Sequence, residues 1–231
     1  VFDRADSTEE FQAMFSVRGK ALYTKMDFLF KMIGEILNSS KLEDTKRLYE
    51  IVASVKSRAQ VNLTGAGHST AVLRAAAYSS PMAAFQDEMA GIGYYQFIEK
   101  LEKDFEQRKE ETVEELCKLM KKILRPENFM ISYTGERESL ETVQKLAGAV
   151  KAGLGTEPVE KSKEKLTCTK KNEGFKTSGQ VQYVAQTGNF KKKGLEYTGA
   201  LEILKVILSY DYLWMNLRVK GGAYGCMSGF K

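Results

Sequence analysis

Histidine is nearly missing from this chain, cysteine and proline are scarce, and no apolar run is long. The 231 residues include one His, three Cys, three Pro and one Trp. A zinc site takes three or four ligands with close local pairs, so His68 and three scattered cysteines exclude one built by this segment alone. No Asp-rich loop of the calcium type appears. Cys117, Cys168 and Cys226 are odd in number and far apart, which excludes a disulfide framework and suits a reducing compartment. They are expected as free thiols, Cys117 as a small residue on the apolar face of a helix. Lys, Arg, Asp or Glu interrupts every hydrophobic stretch well before the roughly 20 residues that span a bilayer. No basic and apolar leader is present, so no membrane partner and no secretion are expected.

What is present is enough apolar material, 43% of residues, for one large domain or one and a half ordinary ones. The first residue is Val1, and Lys231 closes a stretch that still reads as a strand, so both ends are expected to lie inside a longer polypeptide. The net charge of +5 comes from an excess of Lys and Arg after Glu160. Lys161, Lys163, Lys165, Lys170 and Lys171 are mixed with Glu160, Glu164 and Glu173 without interleaved aromatics, the pattern of a solvated linker. The alternative for the Lys161 to Lys193 region is a basic nucleic-acid-binding module, which a steep salt dependence of binding would reveal.

Phe11, Ala13, Phe15 and Val17 alternate with polar residues or Met14 at the period of a half-buried strand. Met26, Leu29, Phe30, Ile33, Ile36 and Leu37 follow helical spacing, as do Leu48, Ile51, Val52, Val55 and Ala59 in a helix that starts near Glu43. Gly65 to Gly67 end that helix, and Ser69 is placed to cap a short one carrying Leu73, Arg74 and Ala75 to Ala77, stopped by Ser79, Ser80 and Pro81. Further helical stripes run from Ile92 to Phe105, from Val113 to Leu124 before Pro126, and from Leu140 to Leu154. Phe129 to Thr134 alternates as a strand. From Gly153 to Gly174 the composition turns polar and charged. A strand at Val181 to Ala185, a helix at Leu201 to Leu217 and a strand at Ala223 to Phe230 follow. These three elements are too few to close a core.

Two glycine-rich stretches are candidates for chemistry. Gly65-Ala66-Gly67 follows a helix rather than a strand and lacks the Lys-Ser/Thr of a phosphate-binding loop. His68 beside Ser69 does not make a nucleophile and base pair. The closing stretch Arg218-Val219-Lys220-Gly221-Gly222-Ala223-Tyr224-Gly225 is more specific. A helix running into Gly-Gly stops there, and the chain turns back with a cation and a phenol on either side of the turn. Arg has a rigid donor fork and Tyr a neutral O–H, and together they can converge on one oxygen that becomes an oxyanion. The plain alternative is an arginine favoured by the helix dipole and a tyrosine in a strand.

That closing stretch is similar to the Arg-x-x-Gly-Gly-x-Tyr-Gly segment in the C-terminal half of presequence protease-like zinc metallopeptidases, a branch of the pitrilysin and insulinase group. Phe15-Ser16-Val17-Arg18-Gly19-Lys20-Ala21-Leu22, Gly65-Ala66-Gly67-His68-Ser69-Thr70-Ala71 with Arg74-Ala75, and Gly91-Ile92-Gly93-Tyr94-Tyr95 resemble that family's third-domain segments in the same order. The resemblance implies an α+β fold with helices on a mixed, largely antiparallel sheet. It implies most of a third domain at 1–155, a charged linker at 156–177 and the incomplete start of a fourth, homologous domain at 178–231. It implies a metalloendopeptidase that degrades unfolded peptides in an enclosed chamber, with zinc held by an inverted His-x-x-Glu-His helix in the N-terminal half. That motif is absent from this sequence, so this segment alone is expected to bind no metal and to be inactive. Its partners would be unfolded peptides and the N-terminal half of the same polypeptide, and neither nucleic acid nor membrane. The matching residues imply Arg218 and Tyr224 as catalytic and Arg218, Gly221, Gly222 and Tyr224 as substrate-binding. The rival within the same fold is a non-catalytic scaffold or processing subunit. The expected compartment is a bacterial cytoplasm or an organelle matrix.

Overall fold

The computed structural model describes residues 1–3, 10–159, 166–177 and 179–230. Lys161, Lys163 and Lys165 of the expected linker, with Glu160 and Glu164, lie outside them. Two compact units divide the chain, residues 1–186 and the residues from Thr187 onward. No helix among the described residues is long and apolar enough to cross a membrane.

The first unit is helical. After a two-residue ladder of β1 (Phe2–Asp3) against β2 (Phe11–Gln12), antiparallel with Asp3 opposite Phe11, come seven helices. These are α1 (Met26–Ser39), α2 (Thr45–Gly65), α3 (Gly67–Ala77), α4 (Pro81–Ala90), α5 (Ile92–Lys103), α6 (Phe105–Ile123) and α7 (Leu140–Ala152). Asp44 caps α2 by accepting the Arg47 N–H at 3.0 Å. The core lies where α2 crosses α5 and the start of α6: Val52, Ile98, Leu101 and Phe105 are buried, with Leu48, Val55 and Tyr94 against them. Lys56 closes its edge with an ion pair to Glu102 at 2.5 Å. α1 packs on α7 through its Met26 end, and Val143, Ala147 and Val150 form the buried stripe of α7.

The expected α+β architecture is therefore overturned. Beyond the two-residue ladder, the described residues contain no sheet. The stretches expected as strands, Phe11 to Val17 past Gln12, Phe129 to Thr134, Val181 to Ala185 and Ala223 to Phe230, form no ladder. Their alternation has another use. Phe15, Val17, Phe129 and Ile131 line an open concavity of about 1380 Å³ shared with Leu29, Phe30 and Ile33 of α1 and Val143 and Val150 of α7. Alternation dictates which side chains face an apolar surface, whereas a ladder also needs a second backbone at about 4.8 Å. These stretches meet the first condition only.

A second correction concerns α4. Pro81, expected to end a helix, instead begins one at its first turn, where the missing N–H costs nothing. Ser80 caps it by accepting the Ala83 N–H at 3.3 Å. At the start of α3, Ser69 supplies no cap and the helix begins at Gly67.

In the second unit, α8 (Ala200–Ile207) continues into a π-helix at Leu208–Lys220. The chain then doubles back, so that Ser228 meets Ser209 at 3.0 Å and Phe230 meets Phe190 edge-on. No described residue of this unit is fully buried.

Candidate functional site

Leu217 to Tyr224 form the C-terminal cap of the π-helix. The Ala223 N–H donates to the Leu217 carbonyl at 2.9 Å and the Gly222 N–H to the Arg218 carbonyl at 3.2 Å. Each bond spans one residue more than in a Schellman closure, as the i→i+5 winding requires. The two glycines serve different needs. Gly222 sits at φ +71°, in the left-handed region. Gly221 has ordinary φ, but a Cβ there would stand 2.7 Å from the Leu217 carbonyl oxygen and 3.0 Å from that of Asn216. Gly222→Ala is expected to cost about 1 kcal/mol through its backbone alone. Gly221→Ala is expected to cost more, because helix carbonyls cannot step aside. Denaturation followed by the fluorescence of Trp214, the only tryptophan, ranks the two.

This cap brings Arg218 and Tyr224 together. The Arg218 guanidinium stands 5.9 Å from the Tyr224 ring centroid and 5.5 Å from that of Trp214, and Nη1 donates to the Ala223 carbonyl at 3.0 Å. Such exposed cation–π contacts contribute about 0.5–1 kcal/mol each. Arg218 has no carboxylate partner among the described residues, so its remaining N–H groups are available. Tyr224 is 89% exposed and its hydroxyl makes no hydrogen bond among the described residues. The arrangement offers a cation and an unengaged O–H donor on one glycine-defined turn.

Sequence reasoning missed a second cluster, centred on Arg74. Its Nη1 donates to Asp87 Oδ2 at 2.6 Å, while Nε and Nη2 grip both oxygens of Glu173 at 2.8 and 3.0 Å. Asp87 is 1% exposed and also accepts the Ile92 N–H at 3.0 Å and the Gly93 N–H at 3.1 Å, at the start of α5. A Cβ on Gly93 would lie 2.9 Å from Asp87 Oδ2, and one on Gly91 2.9 Å from the Asp87 Cα. Arg74-Ala75 and Gly91-Ile92-Gly93 are thus two sides of one structure joined by Asp87. The joint was hidden because Asp87 sits on α4, the helix that a stop at Pro81 removes. Ser80 before Pro81, a cap residue ahead of a first-turn proline, was the available signal.

Glu173 also accepts the Tyr78 O–H. The Arg74 hydrogen bonds hold the Glu173 carboxyl down at about 2, and the carboxylates beside Arg74 raise its guanidinium. Burial, followed by Glu173, raises the Tyr78 phenol. A carboxyl depressed in the folded state contributes stability above its unfolded value near 4.5 and loses it as pH falls toward 2. The gap in thermal midpoint between the parent sequence and Glu173→Gln, measured by circular dichroism, is therefore expected to be full above pH 5 and to narrow between about 4.5 and 2.

The remaining candidates are dispersed. The His68 ring lies 6.3 Å from that of Tyr183. Cys117, Cys168 and Cys226 form no disulfide. Among the described residues, no three His, Cys, Asp or Glu stand close enough to hold a metal ion.

Comparison with known proteins covers most of the chain. Residues 1–101 match the family model for the domain associated with subfamily C of the M16 peptidases, and residues 172–231 the one described as PreP C-terminal domain. The chain is 34% identical over 230 residues to Protein HypA of Clostridium perfringens, spanning all of this chain and 23% of that protein. It is 28% identical over 218 residues to Presequence protease 1, chloroplastic/mitochondrial, of Arabidopsis thaliana, 93% of this chain and 20% of that one. With the mitochondrial presequence protease of Saccharomyces cerevisiae the identity is 26% over 234 residues, 95% and 23% respectively. The chain thus spans less than a quarter of the length of these relatives.

Proposed function

The chain belongs to the presequence protease-like branch of the M16 peptidases, and on that premise we propose that it is the substrate-facing C-terminal-half segment of a metalloendopeptidase that degrades unfolded peptides in an enclosed chamber. The observation that carries this reading is the cap at Gly221 and Gly222, which presents a partly unengaged guanidinium and a free phenol on one turn. In the whole polypeptide Arg218 binds and orients the peptide through its donor fork. Tyr224 donates its O–H to the scissile carbonyl oxygen as negative charge develops there. Gly221 and Gly222 keep side chains away from the turn so that a peptide backbone can approach.

Zinc, when bound by the N-terminal half, supplies the Lewis acid that polarises the carbonyl. The described residues of this segment do not fit that ion, so their share is binding, orientation and hydrogen-bond donation. Unfolded peptides and the N-terminal half of the same polypeptide are the partners, and a bacterial cytoplasm or an organelle matrix is the setting, in keeping with the mitochondrial and chloroplastic names of the relatives.

The test is hydrolysis of a fluorogenic unfolded peptide by the full-length parent and by residues 1–231 alone. Turnover by the parent that a chelator abolishes and zinc restores, with none from the segment, supports the reading. A well-folded parent that binds the peptide without cleaving it supports the scaffold alternative instead.

A further inference from the structure

Two contacts of the first unit bind one stretch of chain to a single face of α3. At the C-terminal end of that helix, Arg74 grips Glu173 through two N–H groups and stands 5.7 Å from the Phe175 ring centroid, with Tyr78 donating to the same carboxylate. At the N-terminal end, the Tyr183 ring lies against His68 and over Gly67, where a Cβ would stand 2.5 Å from ring atoms Cδ2 and Cε2. Gly67 and Arg74 are seven positions apart, close to two turns, so both contacts fall on the same side of the helix. The chain from Phe175 to Tyr183 has ample length to cover two turns without being stretched.

We propose that residues 173–177 and 179–183 form a strap that docks on α3 as one element, clasped by Arg74 at one end and by Tyr183 over Gly67 at the other. With the strap docked, only residues 184–186 lie between the last clasp and the second unit. With it released, the chain is free from Leu154, just past the end of α7. The clasp therefore sets how much free chain leads into the unit that carries Arg218 and Tyr224. Gly67 makes the clasp testable. Gly67→Ala favours the helix by propensity, yet puts a methyl group where the Tyr183 ring sits, so its effects on helix and strap have opposite signs.

Amide hydrogen exchange on the 231-residue chain reads this out for Gly67→Ala, Glu173→Gln and the unaltered sequence. A strap that moves as one element gives cross-talk. Gly67→Ala speeds exchange across 173–177 as well as 179–186, and Glu173→Gln speeds 179–186, each by about tenfold, while α5 amides are unchanged. Trypsin cleavage after Lys176, between the clasps, rises in both variants. Tyr183→Ala must reproduce the Gly67→Ala pattern, and it substitutes for that variant if Gly67→Ala does not fold. Faster exchange confined to the mutated end, with the other end as protected as before, would show two independent contacts and overturn the proposal.

Discussion

Arg74→Met is expected to destabilise the first unit by about 3–5 kcal/mol, the usual cost of leaving a buried charge without its partner. Asp87 is 1% exposed and Arg74 is its only ion-pair partner among the described residues. The Ile92 and Gly93 N–H groups still bind the carboxylate, but two amide dipoles do not replace a full charge. Met keeps much of the apolar volume, so the loss is electrostatic rather than a cavity. Glu173 loses its grip at the same time. Arg74→Lys separates the contributions: one ammonium can neutralise Asp87 but cannot also hold Glu173 with a paired fork, so it should recover most of the stability and little of the protection at 173–175. Urea denaturation followed by far-UV circular dichroism gives the values, and a loss below about 1 kcal/mol for Arg74→Met, the range of an exposed ion pair, would contradict the account.

Arg218→Ala in the full-length parent is expected to lower kcat/KM by about 10²–10³-fold. The variant removes a donor fork facing the peptide and also the bond from Nη1 to the Ala223 carbonyl that ties the cap together. Arg218→Lys keeps the charge but loses the fork, so KM should rise more than kcat falls. Trp214, 5.5 Å from the guanidinium, is the internal control. An emission spectrum that shifts in Arg218→Ala but not in Arg218→Lys divides the loss between a loosened cap and missing substrate contacts.

Helices were the legible part of this fold. Met26, Phe30, Ile33 and Leu37 recur on one face of α1, and Val143, Ala147 and Val150 on one face of α7, because a helix buries one stripe and periodicity records that stripe. Strands were not legible in the same way. Phe129 to Thr134 carries the alternation of a strand and lines an apolar concavity, yet no backbone pairs with it, and pairing depends on a second segment that no local pattern specifies. α4 disappeared because Pro81 reads equally as a stop and as a first-turn residue, and Asp87 disappeared with it. At the candidate site, the halt at Gly221 and Gly222 followed from residue type. The π winding that widens the cap, and the placement of the guanidinium against the Tyr224 and Trp214 rings, depend on main-chain geometry that residue identities do not encode.

Tyr224→Phe is the sharpest probe of the substrate-facing role. It deletes one oxygen atom from a side chain that is 89% exposed and whose hydroxyl has no partner among the described residues, so the fold has nothing to lose. The measurement is kcat and KM of the full-length Tyr224→Phe parent on an unfolded peptide at saturating concentration. An O–H donor that acts only as charge develops predicts a fall in kcat of about 10²–10³-fold with KM nearly unchanged; an unchanged kcat would contradict it.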